Sequence, residues 1–293
     1  MYWELYVRWI QLISAGISIV LNVFLNFLIF TKSPKKLGSY KYLMIYISWA
    51  EILYSILDVV LSPIMFSHGS AFVVMVRVKD SMFTERMTFT LLICWCGMFG
   101  LFMGAFVINF LHRYYVAAGS EYLKTFNDSR IILWFMIPFL YGVFWGAVCS
   151  LVGPTSQAKS LMEPSILSTF GYKMEDITYV APHIFNKLEN GTWELDKDSI
   201  FAIGSVWCLL VSSILAMSVF GFKTYWILGK LVTIDDRSSR KLQMLQTQLL
   251  YALVTQTMIP IILLHFPISV IYLFTFMGKD LGTMSGIASI TLA

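Results

Sequence analysis

Few residues of this chain have the type and spacing to do chemistry. Two carboxylic acids, Glu51 and Asp58, stand seven residues apart in an otherwise apolar run. Seven residues are nearly two turns of helix, so both acids share a face. Ionisable groups in such a setting are costly unless they turn inward. The pair reads either as a proton- or ion-sensitive switch or as two neutral, hydrogen-bonded carboxyls that hold helices together. The four histidines, His68, His112, His183 and His265, are scattered, and none has a metal-ligand spacing to a cysteine or an acid. The four cysteines, Cys94, Cys96, Cys149 and Cys208, lie in apolar runs and read as core residues. No nucleophile elbow, phosphate loop or zinc-protease helix motif is present. No catalytic residue, metal or cofactor is expected.

The elements that must position these residues follow from composition. Of 293 residues, 58% are apolar and only 13% charged, against roughly 25% charged in an ordinary soluble domain. Mean hydropathy is +0.72. A soluble globule cannot hide that much apolar surface. The same numbers exclude disorder, and four cysteines are too few for a disulfide scaffold. The chain reads as an all-α membrane protein. A bilayer core of about 30 Å takes about 20 apolar residues of helix. Six stretches meet this, at about 9–30, 42–66, 87–110, 131–152, 199–222 and 249–276. A seventh starts at Leu281 and ends with the sequence at Ala293, too short to cross alone. The expected fold is a seven-helix bundle, one domain over 1–293, with the seventh helix incomplete.

Orientation follows from the loop cations. Twelve Lys and Arg, from Lys32 to Lys241, fall on one side, against five in the short segments of the other. The side with twelve is expected in the cytosol, which puts the N-terminus outside. The loop at about 153–198 is the long outer one. Within it, Asn190-Gly191 between strand-like residues signals a small β-hairpin. Asn190-Gly191-Thr192 is also an N-glycosylation acceptor on that outer side.

Three further features have both a functional and a plain reading. Gly100 and Gly104 form a GxxxG, which serves a dimer face or, as the favoured reading, a tight contact inside the bundle. Arg113, flanked by His112, Tyr114 and Tyr115, sits at the inner end of the third span, where it contacts a partner, locks the helix ends together or, as the favoured reading, simply snorkels. Pro260 and Pro267 bend the sixth span, as a hinge or as a fixed kink, and the polar positions Gln246, Gln248 and Gln256 are placed to contact the third or fifth span or a cytosolic partner.

The run Lys32-Ser33-Pro34-Lys35-Lys36-Leu37-Gly38-Ser39-Tyr40-Lys41-Tyr42-Leu43-Met44 resembles the first inner loop of nematode serpentine chemoreceptors of the Str type. So do Gly69-Ser70-Ala71-Phe72, Arg113-Tyr114 with Ala118-Gly119-Ser120, and Leu133-Trp134-Phe135 with Pro138. The last such block runs from Leu242-Gln243-Met244-Leu245-Gln246-Thr247-Gln248 to Thr255-Gln256-Thr257-Met258-Ile259-Pro260. The resemblance implies a G-protein-coupled receptor in the membrane of a chemosensory neuron, at the sensory cilium, that detects small, often volatile compounds. Two positions depart from the family pattern. His112 stands where an aromatic usually precedes the Arg-Tyr pair, and the pattern continues beyond the point where this chain stops.

On that reading the third span lacks an acid, so a buried ammonium ligand would have no counter-ion there. The long outer loop has no cysteine, so no disulfide ties it to the third span. The expected ligand pocket comprises Phe89, Ile93, Gly97, Phe201, Ser205, His265, Ile268 and Tyr272, suited to a small, weakly polar ligand. Ligand binding would swing the lower sixth span about Pro260 and open a basic cavity around Arg113, Tyr114, Lys230, Arg240 and Lys241 for a heterotrimeric G protein. Lipid is the remaining partner, and nucleic acid is not expected. Two other readings stay open: a small-solute transporter or ion channel working through Glu51 and Asp58, and a non-signalling truncated fragment.

Overall fold

The computed structural model describes residues 2–33, 38–79, 81–187, 193–231 and 237–262, with 266, 269–270, 273–274 and 277 beyond them. The chain runs through α1 (Tyr2–Lys32), α2 (Tyr40–Leu61), β1 (Ile64–His68), β2 (Ala71–Arg77), α3 (Glu85–Ala118), a short α4 (Lys124–Asn127) and α5 (Ile131–Ser150). It continues through α6 (Ser156–Phe170), β3 (Ile177–Val180), β4 (Phe185–Lys187), β5 (Trp193–Leu195), α7 (Lys197–Leu231) and α8 (Arg237–Pro260). Five described helical segments have the length and apolar character to cross a membrane: Leu5–Lys32, Tyr40–Leu61, Glu85–Ala118, Ile131–Ser150 and Lys197–Lys230. α8 begins at Arg237, well before the apolar run that opens at Leu249, and its first half is polar. The stretch 281–293 lies outside the described residues.

α3 is the axis of the bundle. The Thr84 side chain caps its start by accepting from the Met87 N–H, and Gly119 closes its end at φ 61. α2, α5, α7 and α8 all pack on it. The contact with α5 is limited by backbone rather than side chains. A Cβ on Gly97 would stand 2.8 Å from the Gly142 carbonyl oxygen, one on Gly100 2.6 Å from that of Tyr141, and one on Gly104 2.8 Å from Pro138 Cα. Gly100 and Gly104 thus pack against α5, the favoured reading of this motif.

The second helix stops at Leu61, short of the expected 66. Ser62 turns left-handed at φ 43, its N–H bonding the Asp58 carbonyl, and Pro63 follows with no N–H to continue the helix. The next residues form an antiparallel hairpin, β1–β2, with His68 opposite Ala71 across a two-residue Gly69-Ser70 turn. Gly69 sits at φ 55, the positive value such a turn requires at its first central position. β3, from the long loop, adds to the other edge of β2.

The Ala-Phe-Val-Val-Met-Val run of β2 is buried on both faces, which explains its lack of alternation. Ala71, Val73 and Met75 meet Ala158, Met162 and Ile166 of α6. Phe72, Val74 and Val76 point the other way, against Leu92, Trp95, Trp145 and Val148 of the helical bundle. The sheet thus forms a lid across one end of the bundle, with α6 as its outer layer. The lid is stitched down without a disulfide: the Ala181 N–H bonds the Val152 carbonyl at 2.8 Å, and the His183 N–H bonds Ser199 Oγ of α7 at 3.0 Å. Burial of Tyr179, with Glu163 nearby, pushes its phenol up to about 12, so it stays neutral as it donates to the Thr155 carbonyl at 3.4 Å.

The small hairpin expected around Asn190 is present as β4–β5. Lys187 pairs with Trp193 and Phe185 with Leu195. That register is centred on Asn190, so an odd number of residues joins the strands, unlike the two-residue turn expected there. Residues 188–192, with the acceptor asparagine, lie outside the described set.

The glycine contact predicts a large asymmetry between positions. Gly100→Val should cost about 1–3 kcal/mol of stability through overpacking. Gly204→Ala on α7, where a Cβ meets nothing within 4 Å, should be neutral. Thermal unfolding of both variants in detergent checks this.

Candidate functional site

Beneath the lid lies a cavity of about 100 Å³. Its ceiling is the inner face of the sheet, with Phe72, Val74 and Val180. Its walls are Trp95, Cys96 and Phe99 of α3, Trp145, Val148 and Cys149 of α5, and Ile203, Val206 and Trp207 of α7, and Ser269 completes the lining. Among the described residues, no acidic or basic side chain lines it. Cys96 of α3 and Cys149 of α5, both free thiols, line it together. The Trp95 indole N–H points away from the cavity and donates to Asp58 Oδ1 at 3.2 Å. Asp58 is only 3% exposed. Tyr54 stacks on Trp95 with centroids 5.9 Å apart, and Phe99 meets it edge-on at 4.9 Å. Asp58 is thus a carboxyl that fixes the orientation of a wall residue.

Glu51 has other neighbours. It opens on a crevice between α1 and α2 with Ser14, Ser18 and Asn22. These belong to a polar seam: Asn26 Nδ2 donates to Ser48 Oγ at 2.8 Å, Ser55 Oγ to Ser18 Oγ at 2.9 Å, and Gln11 Nε2 to the Pro63 carbonyl at 3.4 Å. The sequence signal for this seam is the polar series Gln11, Ser14, Ser18, Asn22 and Asn26 at helical spacing, which the sequence reading did not use.

Of the expected pocket residues, none of the described ones lines this cavity. Gly97 packs on Gly142 and Ile93 on Gly146 of α5, and Phe89 on Gly153 just beyond that helix. Phe201 is 58% exposed, and Ser205 is half-buried on α7; neither is among the cavity-lining residues. His265, Ile268 and Tyr272 lie outside the described residues. The α3 residues that do line the cavity were missed by about one residue, a turn of about 100° on a helix.

At the far end of α3, Arg113 is 3% exposed. Its guanidinium carbon lies 3.4 Å above the Tyr40 ring of α2, and its Nη1 donates to Gln246 Oε1 of α8 at 3.1 Å. His112 occupies the departing position as an aromatic. It stacks on Tyr40 at 5.5 Å, meets Phe126 edge-on at 4.9 Å and reaches Ser39 Oγ with Nε2 at 3.3 Å. Tyr114 packs on Phe220 of α7 with Lys223 over its ring, and Lys230 sits 3.4 Å above Trp226. Arg240 and Lys241 belong to α8 by backbone, but their side chains lie outside the described set, as does that of Pro260. Gln246 is one of the polar positions of the sixth span expected to meet the third or fifth span or a cytosolic partner, and its partner is Arg113 of α3.

A family model described as the serpentine type 7TM GPCR chemoreceptor Str matches residues 7–293. The G-protein coupled receptor str-217 of Caenorhabditis elegans is 33% identical over 271 residues, 92% of this chain and 77% of that protein. The serpentine receptors class r-10 of Caenorhabditis briggsae and of C. elegans are each 24% identical over 281 residues, 95% of this chain and 80% and 81% of theirs.

The Asp58–Trp95 bond yields a test that separates positioning from ion handling. Asp58→Leu leaves a buried indole N–H without an acceptor and should cost about 1–3 kcal/mol. Asp58→Asn keeps an acceptor oxygen and should retain most of the thermal stability and the signalling. Loss of signalling in a stable Asp58→Asn receptor would mean that the charge itself is needed.

Proposed function

Because the chain belongs to the serpentine seven-transmembrane chemoreceptors of the Str type, we propose that its lidded cavity takes a small, weakly polar, odorant-like ligand and that its sixth span relays binding to a heterotrimeric G protein. The family is one of receptors rather than enzymes, and it implies a ligand and a G-protein partner in general. One observation carries the finer reading. α3 walls the cavity with Trp95, Cys96 and Phe99, and the same helix reaches α8 through the Arg113–Gln246 hydrogen bond.

The lid end faces outward and the basic end the cytosol, as the excess of loop Lys and Arg favours. The N-terminus is then extracellular, Asn190 is open to glycosylation, and the receptor works in the plasma membrane of a sensory cilium. The resting state is the one with Arg113 on Tyr40 and Gln246. Its charge-assisted hydrogen bond is worth about 1.5–3 kcal/mol, so a ligand with a comparable preference for the alternative state shifts the population. In that state α8 moves about Pro260, Gln246 leaves Arg113, and the far end opens between α3, α7 and α8. Arg113, Tyr114, Lys230, Arg240 and Lys241 border that opening. Ser269 supports a contribution of the sixth span to the cavity.

The experiment reads basal G-protein activation in cells, which needs no ligand. Gln246→Ala should raise the basal signal several-fold at equal surface expression, and Arg113→Ala should abolish it. Pro260→Ala should lower the basal signal of a Gln246→Ala receptor. An unchanged basal signal in all three variants overturns the movement of α8.

A further inference from the structure

We propose that the ligand is a neutral, bilayer-soluble compound that reaches the cavity sideways from the lipid, past Trp207 of α7, and not from the water above the lid. This rests on reading the cavity as the ligand site and adds the ligand's chemical class and route.

The lid is closed to water in two layers. Its inner face, with Phe72, Val74 and Val180, is buried, and so is its outer face, where Ala71 and Val73 are both 0% exposed beneath Met162 and Ile166 of α6. Entry from above would require lifting a sheet whose two buried faces and backbone ladders are all satisfied. The side wall is different. Ile203 and Val206 are half-buried, and Trp207, which lines the same cavity, is 37% exposed on the face of a helix apolar enough to cross the membrane. The exposed side of Trp207 therefore meets lipid, and the other side meets the cavity.

The cavity chemistry agrees with a ligand that arrives from lipid. The Trp95 indole N–H is already taken by Asp58, and among the described residues no charged group lines the space. A solute leaving the bilayer for such a site breaks no hydrogen bonds with water, whereas a charged solute would lose its hydration without a partner. The volume sets the size. About 100 Å³ is somewhat less than the ~150 Å³ apolar cavity that holds benzene. The ligand class is thus small, uncharged and lipid-partitioning, and the bilayer concentrates it before it binds.

The test uses a benzene-sized alkyl diazirine, a quaternary-ammonium diazirine of similar size, and receptor in lipid nanodiscs. Photolabelled peptides are mapped by mass spectrometry. Arg77 and Ile177 pair directly across β2 and β3, so Arg77→Cys with Ile177→Cys, oxidised, ties the hairpin of the α2–α3 connection to the strand of the long loop and locks the lid against parting between them; the same protein reduced is its folding control. The uncharged probe should label cavity residues equally with the lid locked or free, and Trp207→Ala should raise the labelling rate several-fold. The ammonium probe should leave the cavity unlabelled. Labelling that falls severalfold on locking the lid, or cavity labelling by the ammonium probe, overturns the lateral route while leaving the cavity as the ligand site. Failure of the uncharged probe to label the cavity in any variant overturns the cavity reading itself, and the route with it.

Discussion

The close approach of α3 to α5 governs the rest of the structure. Three glycines on α3 let two backbones meet where any side chain would collide. In a bilayer, helices gain nothing from hiding apolar surface from water, so packing of this kind is a main source of association. It seats α3 deep in the bundle. From there its two ends can be walls of two different sites: Trp95 beneath the lid and Arg113 at the far end. If the contact were looser by a methyl group, Trp95 and Cys96 would move relative to Trp145 and Cys149, and the small cavity between them would change shape.

The lid solves a second problem, that of closing a bundle without a covalent tie. The chain has no cysteine outside its apolar helical runs. A loop crossing the mouth must satisfy its backbone polar groups by itself. It does so as a sheet, drawing two strands from the α2–α3 connection and one from the long loop, then covering the outer face with α6. The result is a small hydrophobic core of its own, set on the end of the bundle. The Ser199 hydroxyl, taken up by the His183 N–H, and Asp196, whose carboxylate accepts from the Ser199 N–H at 2.8 Å, bind this core to the first turn of α7.

The legibility of the sequence varied with the physics of each element. Spans were readable because a membrane helix must be long and apolar. The lid sheet was not, because strands buried on both faces do not alternate, and the apolar residues of β1 ran on from those of α2. Only Pro63 and the Gly69-Ser70 turn mark the change. α3 was identified as the helix that matters, but not which of its faces meets the cavity. A helix buried almost all round carries no polar stripe to orient it. Arg113 and Asp58 stand out as residues, and Gln246 as a polar position of the sixth span, but the pairings Arg113–Gln246 and Asp58–Trp95 join residues far apart in sequence and have no local signal. The α1–α2 seam was different: its polar residues recur at helical spacing, and that pattern was available to be read.

The distribution of packing also says which element is free to move. α3 and α5 meet along several turns of backbone contact, so sliding or rotation of α3 would collide with Gly142, Tyr141 and Pro138. α7 adds Leu210 and Met217 to the face of α3 around Met103 and Phe106. α8 joins that cluster through Leu250 and Leu253 and holds Arg113 through Gln246. Among the described residues, two buried leucines and one charge-assisted hydrogen bond are a lighter attachment than the glycine seam. A stimulus at the cavity that reaches the far end must therefore spend its differential binding energy where resistance is least. That favours displacement of α8 over distortion of α3, with α3 as the fixed member against which the movement is made.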